Sequence, residues 1–402
     1  MANLLARQPI FDRALRVEAY ELLFRPNGRP PGPHFDGDHA TSSVIVNAFV
    51  DRSVDQVVGA SRAWINMTPH LLKSNMVELL PRDRVVLEIL ETTAIDAELL
   101  GALKRMAALG YRLALDDFEW REDLVPLIPI VDYIKIDVLA LDKPKVQYQL
   151  EKIGRSRAQL VAEKVETHEM MHDCVEMGFS MFQGYFLSRP NLVPGGAVSP
   201  NQLVVLRLLA RIQDPQVDLP QLEQLIGVDA TLSYRLLRLL NSAFYNLPRT
   251  LTSVHDALVI LGLRTTRMWL MLISLAGLDD KPSELFAVAM IRAKICELLA
   301  KRIRHPAEES FFVVGLFSLL EAMLDLPLAQ ILASLPLSIE VNEALLSGAG
   351  IHGAALRCAV GFERVNWDDV TFEGLDIAAL REVYLEAVQW ARTVAQEIGK
   401  GG

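Results

Sequence analysis

The chain has 402 residues, 51% hydrophobic and 22% charged, enough for two or more domains that each bury a core. Its formal net charge of −10 excludes broad nucleic-acid affinity, which needs many Lys and Arg facing phosphates. No run of about 18 uncharged apolar residues suggests a membrane span, and Met1 to Phe11 lacks the pattern of an export signal.

From the N-terminus to about residue 190, short β-branched runs alternate with amphipathic stretches. Strands are predicted at Leu5 to Phe11, Val17 to Phe24, Trp64 to Met67, Val85 to Leu90, Arg112 to Asp117, Val131 to Ile136, Gln159 to Val165 and Phe179 to Gln183. Helices are predicted between them at Pro69 to Leu80, Ile95 to Leu109, Val138 to Ile153 and His168 to Met177. This alternation implies a largely parallel sheet, and eight strands fit a closed, compact α/β barrel of the TIM type.

In such a barrel the chemistry sits where strands end. Leu113-Ala114-Leu115 runs into Asp116-Asp117-Phe118, a strand tip whose paired carboxylates suit hard divalent cations. Glu21, Asn66, Glu88, Lys135, Glu163 and Gln183 lie late in, or just beyond, other predicted strands. Singly, each is an ordinary strand-end residue. Gathered at one mouth, five carboxylates, two amides and a lysine need countercharge, because packed carboxylates raise one another's pKa. Two divalent ions would supply it, with Lys135 holding a nucleophilic water or a phosphate oxygen.

These residues resemble the EAL domain of bacterial cyclic di-GMP phosphodiesterases. The resemblance runs from Gln8-Pro9-Ile10 and Glu21-Leu22-Leu23-Phe24-Arg25 through Asn66, Glu88-Ile89-Leu90-Glu91, Asp116-Asp117-Phe118 and Lys135-Ile136-Asp137. It continues through Ala162-Glu163-Lys164-Val165-Glu166-Thr167 to Gln183-Gly184-Tyr185, covering roughly residues 4 to 190. It implies Mg²⁺ or Mn²⁺ at Glu21, Asn66, Glu88, Asp116 and Asp117. Lys135 and Glu163 would be the catalytic pair, and Arg25 and Gln183 would contact the ligand.

The chain also departs from that pattern. Leu22 follows the first Glu where the family has Ala, Leu90 replaces a Thr, and Lys164 replaces a Gly. Active members follow Asp-Asp-Phe with a glycine-rich loop. Glu119-Trp120-Arg121-Glu122-Asp123 stands here, and such residues cannot follow the same positive-φ path cheaply. The run Pro26 to Gly37 replaces a helical segment that helps cover the ligand.

Leu192-Val193-Pro194-Gly195-Gly196 reads as a linker, giving domains of 1–194 and 198–402. Beyond it the periodicity is helical: Gln202 to Ile212, Thr231 to Phe244, Arg264 to Leu275, Glu284 to Arg304, Glu308 to Met323, Ile339 to Leu346, Gly353 to Val365 and Ile377 to Ile398. Cys174, Cys296 and Cys358 are isolated and read as buried free thiols of a cytoplasmic protein. The basic segment Arg292 to His305 reads as a solvated helix face, and His305 and His352 as surface residues.

This half resembles the HDOD domain, an all-helical relative of metal-dependent HD phosphohydrolases. The matching words are Asp229-Ala230-Thr231-Leu232-Ser233, Leu236 to Tyr245, and Ala257 to Gly262. The catalytic His-Asp position falls on Ser318-Leu319, which cannot ligate a metal, so no cofactor is expected in this half. His255-Asp256 precedes a predicted helix and reads as helix-start chemistry.

The reading favoured on sequence is a bacterial signal-transduction protein. Its EAL-like barrel would be a non-catalytic sensor or scaffold, with an HDOD output domain binding protein partners of the pathway. The alternatives are a metal-dependent cyclic di-GMP phosphodiesterase and a receptor that binds cyclic di-GMP without cleavage. A homodimer is left open, the two halves are expected to touch, and nucleic acid is not an expected partner.

Overall fold

The computed structural model describes residues 4–25, 57–191, 200–242, 244–245, 247, 250–278 and 281–399. The Pro26 to Gly37 run and the expected linker after Leu192 lie outside these. The chain divides into two compact units: one runs to Leu187 and adds Glu363–Trp367 and Asp376–Arg381, and the other takes the remainder.

The first unit is a closed eight-stranded barrel in sequential order, as expected. Its strands are β1 (Leu4–Asp12), β2 (Val17–Arg25), β3 (Arg62–Met67), β4 (Val85–Ile89), β5 (Arg112–Leu115), β6 (Tyr133–Asp137), β7 (Gln159–Glu163) and β8 (Met181–Gln183). Pairing is parallel from β2 to β8, whereas β1 runs antiparallel to both β2 and β8. The reversal follows from the connection. Only Arg13 to Arg16 separate β1 from β2, and a turn that short cannot make a parallel crossover. Asp12 Oδ1 accepts from the Ala14 and Arg16 amides, at 2.8 and 2.9 Å, and fixes the turn.

Helices α1 (Pro69–Lys73), α2 (Ala97–Ala108), α3 (Lys143–Ile153) and α4 (His168–Glu176) follow β3, β4, β6 and β7. Each starts where a short polar side chain caps the first turn: Thr68, Asp96, Asp142 and Thr167 accept backbone N–H groups. Between β5 and β6 the described chain makes only a 3₁₀ turn, Glu122–Leu124.

Inside the barrel, Ile10, Ala19, Trp64, Val86, Ala114, Tyr133, Val161 and Met181 form one buried cluster with a residue from every strand. Trp64 and Tyr133 pack with ring centroids 4.6 Å apart. This apolar layer is the floor on which the polar mouth stands.

The second unit is helical: α5 (Pro200–Gln213), α6 (Leu219–Val228), α7 (Ala230–Leu240), α8 (Val254–Ala276), α9 (Ser283–Arg302), α10 (Glu308–Phe317), α11 (Leu320–Leu324), α12 (Leu328–Leu332), α13 (Ile339–Ser347), most of α14 (Gly350–Arg364), as far as Phe362, and most of α15 (Ile377–Ile398), from Glu382 on. Helices α6 and α12 were not expected from the sequence. Trp269 to Ala276 of α8 are all buried in this unit's core. That core role accounts for the strongly apolar character of α8. Val254–Ala276 has the length and mean hydropathy (1.5) of a membrane-crossing helix, yet half of that stretch is buried and Gly262, at φ 69°, interrupts it. Gly315 of α10 lies so close to α9 that a Cβ there would meet Ala293 Cα at 2.5 Å.

Two expectations for this half are corrected. His352 is buried, its ring tilted against Phe311 with centroids 4.0 Å apart and its Nε2 2.6 Å from Ser310 Oγ, because the neighbouring turn of α10 covers it. Arg292 is also buried, its guanidinium donating to Ser318 Oγ at 3.0 Å, so the basic segment is not a uniformly solvated face. The three cysteines are buried free thiols, as expected.

Candidate active site at the barrel mouth

Side chains alternate along a strand, so the inward position next to the apolar floor lies two residues away on each strand. Counting toward the mouth from Ala19, Trp64, Val86, Ala114, Tyr133, Val161 and Met181 gives Glu21, Asn66, Glu88, Asp116, Lys135, Glu163 and Gln183. Strand β1 runs the other way, so its step is backwards from Ile10, to Gln8. The mouth therefore carries one polar residue from each of the eight strands. Seven were singled out from the sequence; Gln8 was not.

Lys135 is the hub. Its Nζ lies 3.1 Å from Glu21 Oε2, 2.7 Å from Glu88 Oε1, 2.6 Å from Asp116 Oδ1 and 2.8 Å from Glu163 Oε1. Lys135 and Glu88 have side chains only 1% and 0% exposed. Four carboxylates on one ammonium leave three negative charges uncompensated when all are ionised. Burial pushes the Glu88 carboxyl well above its usual range, with the charges of Glu21 and Asp116 adding and Lys135 opposing. Burial also raises Glu163, reinforced by Asp116 and Glu21 against Lys135, to about 8. Burial alone would lower Lys135, but the four carboxylates outweigh it and hold the ammonium well above its ordinary pKa.

Glu21 is clamped from both sides. Asn66 Nδ2 donates to its Oε1 at 3.0 Å and Gln183 Nε2 to its Oε2 at 2.7 Å. Gln183 also donates to Gln8 Oε1 at 3.1 Å, and Gln8 Nε2 donates to the Tyr185 hydroxyl at 2.7 Å. Gly184 makes this turn possible. At φ 152° it passes so near the next strand end that a Cβ would fall 2.1 Å from the Val165 carbonyl oxygen.

Asp116 and Asp117 lie just past the end of β5 rather than in it. Asp117 adopts φ 39°, which turns its carboxylate away from the Lys135 hub. Lys164, at φ 56°, reaches across so that its ammonium lies 2.5 Å from Asp137 Oδ2 and 3.5 Å from Asp117 Oδ1. Asp137 is itself fixed, its Oδ1 accepting from the Leu139 and Ala140 amides at 2.9 Å each. Arg25 is buried at the end of β2, four residues beyond Glu21.

The Glu119-Trp120-Arg121 loop is tied down by direct bonds. Trp120 N donates to Gln149 Oε1 at 2.8 Å, and the Arg121 guanidinium donates to the Glu91 and Thr93 carbonyls at 2.6 and 3.0 Å. With Asp116, Asp117, Asp137 and Leu141 it lines a cleft of about 390 Å³ at the mouth.

Among the described residues no group of three His, Cys, Asp or Glu side chains stands ready-made around a cation position, because the carboxylates close on Lys135 instead. The donor chemistry nevertheless suits a hard divalent ion. It is oxygen-rich and over-negative, and Glu88 Oε2 and Glu163 Oε2 are buried without accepting a hydrogen bond. In the helical unit the HD position gives nothing comparable. Ser318 Oγ donates to the Gly315 carbonyl at 2.7 Å, and His255 pairs with Glu223 at 3.0 Å on the surface.

A closed barrel with a carboxylate–lysine layer at its mouth, followed by an all-helical unit, is the build of an EAL domain joined to an HDOD domain. The EAL domain profile matches residues 42–190 and the HDOD domain profile residues 200–339. YuxH of Bacillus subtilis (strain 168) is 33% identical over 405 residues, covering 98% of this chain and 99% of its own length. The cyclic di-GMP phosphodiesterase CdgJ of Vibrio cholerae serotype O1 is 33% identical over 398 residues, covering 97% of this chain and 92% of its own. An EAL domain protein of Listeria monocytogenes EGD-e is 23% identical with a TM-score of 0.37, covering 47% of this chain and 88% of that one. The chain belongs to the family of two-domain EAL–HDOD proteins.

Proposed function

We propose that this chain acts in cyclic di-GMP signalling as a metal-dependent phosphodiesterase, opening the cyclic dinucleotide to its linear form. One observation carries the reading: four carboxylates converge on a single buried ammonium at the barrel mouth. Fully ionised, that layer would carry three excess negative charges, a cost of burial that raises Glu88 and Glu163 and that a divalent cation would relieve. Glu21, Asn66, Glu88 and Asp116 are the residues that would hold Mg²⁺ or Mn²⁺, with Asp117 at the outer edge. When bound, the ion neutralises phosphate charge and lowers the pKa of water beside it.

The chain's own groups supply the rest. Lys135 donates hydrogen bonds from a fixed buried position, suited to steadying the attacking water or a phosphate oxygen. Glu163, 2.8 Å from Lys135, takes the water proton in its ionised form as the new P–O bond forms, and the ribose oxygen released as its P–O bond breaks takes a proton from solvent water. Gln183 and Asn66 hold Glu21 in one orientation, and Arg25 and Gln183 would contact the ligand. The HDOD half, with Ser318 and Leu319 in place of metal ligands, is proposed as the part that engages a protein partner.

A second reading, binding without turnover, is favoured by the tethered Glu119–Arg121 loop. The test is chromatography of the full chain incubated with cyclic di-GMP and Mn²⁺. Linear dinucleotide is expected, lost with EDTA and in Glu21→Ala and Glu163→Gln. Calorimetric binding without product would replace the enzyme by a receptor, and neither binding nor product would leave a scaffold.

A further inference from the structure

Among the described residues the mouth carries an inner and an outer charge cluster. The inner cluster sets Glu21, Glu88, Asp116 and Glu163 against Lys135. The outer one sets Asp117 and Asp137 against Lys164. Fully ionised, the first carries three excess negative charges and the second only one. A divalent cation is drawn far more strongly to the first.

Lys164 is placed for this rather than lying where a flexible side chain happens to fall. Its backbone is in the left-handed region, φ 56°, which a β-carbon adopts only at a cost. That conformation directs the chain from the end of β7 toward Asp137. Asp137 cannot swing away, because its other oxygen is held by two backbone amides. The ammonium is therefore moored on one side and presented to Asp117 on the other, and Asp117 Oδ1 accepts no hydrogen bond that would satisfy it instead. Lys164 is half-exposed, so the pairing alone adds little stability. Its effect is on what else can sit there.

We propose that Lys164 takes the place of a second divalent cation, so that the mouth holds one metal ion, in the inner cluster, with a lysine ammonium as the cation beside Asp117. The inference rests on the metal-binding reading above and deepens it: the positive charge facing the outer side of a bound phosphate would come from the protein itself.

The test is to count Mn²⁺ ions bound by the full-length protein, using the electron paramagnetic resonance signal of free Mn²⁺ during titration. Wild type is expected to bind one ion per chain, and Lys164→Gly and Lys164→Met two. The second ion should bind at least tenfold more tightly in the variants than in wild type, and the frozen spectrum should broaden from coupling between neighbouring ions. Lys164→Gly relieves the positive φ, and Lys164→Met keeps the aliphatic stem while removing the charge, so folding is guarded in two ways. Two ions in wild type, or a single ion in all three proteins, would overturn the proposal. No bound Mn²⁺ in any of them would instead overturn the metal-dependent reading on which it rests.

Discussion

Gln183 Nε2 reaches Glu21 Oε2 across 2.7 Å although their strands, β8 and β2, are not neighbours. Strand β1 lies between them, and its Gln8 accepts a second bond from the same Gln183 nitrogen. Glu21 is thus oriented by the strand that closes the barrel. Groups that orient a metal ligand typically contribute about 10–100-fold to affinity. Gln8→Ala is expected to weaken Mn²⁺ binding by roughly tenfold, read by calorimetry. Unchanged affinity would show that Gln8 only fills space.

The Lys135–Glu88 pair is wholly buried, so its two halves respond differently to removal. Lys135→Met leaves several carboxylates without their ammonium and is expected to cost about 3–5 kcal/mol in the metal-free protein. Glu88→Gln replaces a carboxyl that burial already holds toward its protonated form, and removes a charge that only a bound cation would call for. Its metal-free stability should match or exceed that of wild type, while stabilisation by added Mn²⁺ shrinks. Urea titrations with EDTA and with Mn²⁺ measure both, and a large loss of metal-free stability in Glu88→Gln would contradict this account.

Two glycines separate conformational strain from collision. Gly178, at φ 100°, has nothing within 4 Å of a would-be Cβ, whereas at Gly184 that atom would strike the Val165 backbone. Gly178→Ala should cost about 1–2 kcal/mol. Gly184→Ala should cost more than about 3 kcal/mol, and should weaken metal binding by shifting Gln183. Equal losses in thermal melts would argue against the collision.

Burial, with the neighbouring His305 adding and Glu340 opposing, lowers the pKa of His352 below its ordinary 6.5. Below 6.5 the unfolded chain takes up a proton that the folded His352 does not, so stability falls as pH drops toward the folded pKa. His352→Gln removes that contribution. Denaturation midpoints at pH 7 and pH 5 should lie closer together in the variant than in wild type, and an unchanged gap would assign the pH dependence to other groups.

The barrel was legible because each strand is a short apolar run ending in a polar residue, and seven mouth residues recur two positions beyond a floor residue. Gln8 escaped because its strand runs backwards, which follows from the four-residue turn held by Asp12 and not from any motif. The Lys164 exchange was visible as a departure, but its partner Asp137 required the geometry of two strand ends. Helix α6 was missed because Pro220 and two glutamines mask its periodicity, although Asp218 and Gln221 form a reciprocal capping box at its start. The burial of His352 depends on Ser310 and Phe311, some 40 positions upstream, a separation that periodicity does not register.

The direction of β1 bears on how the protein can be joined to other polypeptides. Leu4 pairs with Arg25, so β1 begins at the rim that carries the carboxylates and descends toward the floor. In a barrel made only of parallel strands, the first strand would start at the opposite face. Any polypeptide attached ahead of Leu4, whether an upstream domain or a purification tag, is therefore delivered beside the mouth. An N-terminal fusion is placed to screen or gate ligand access.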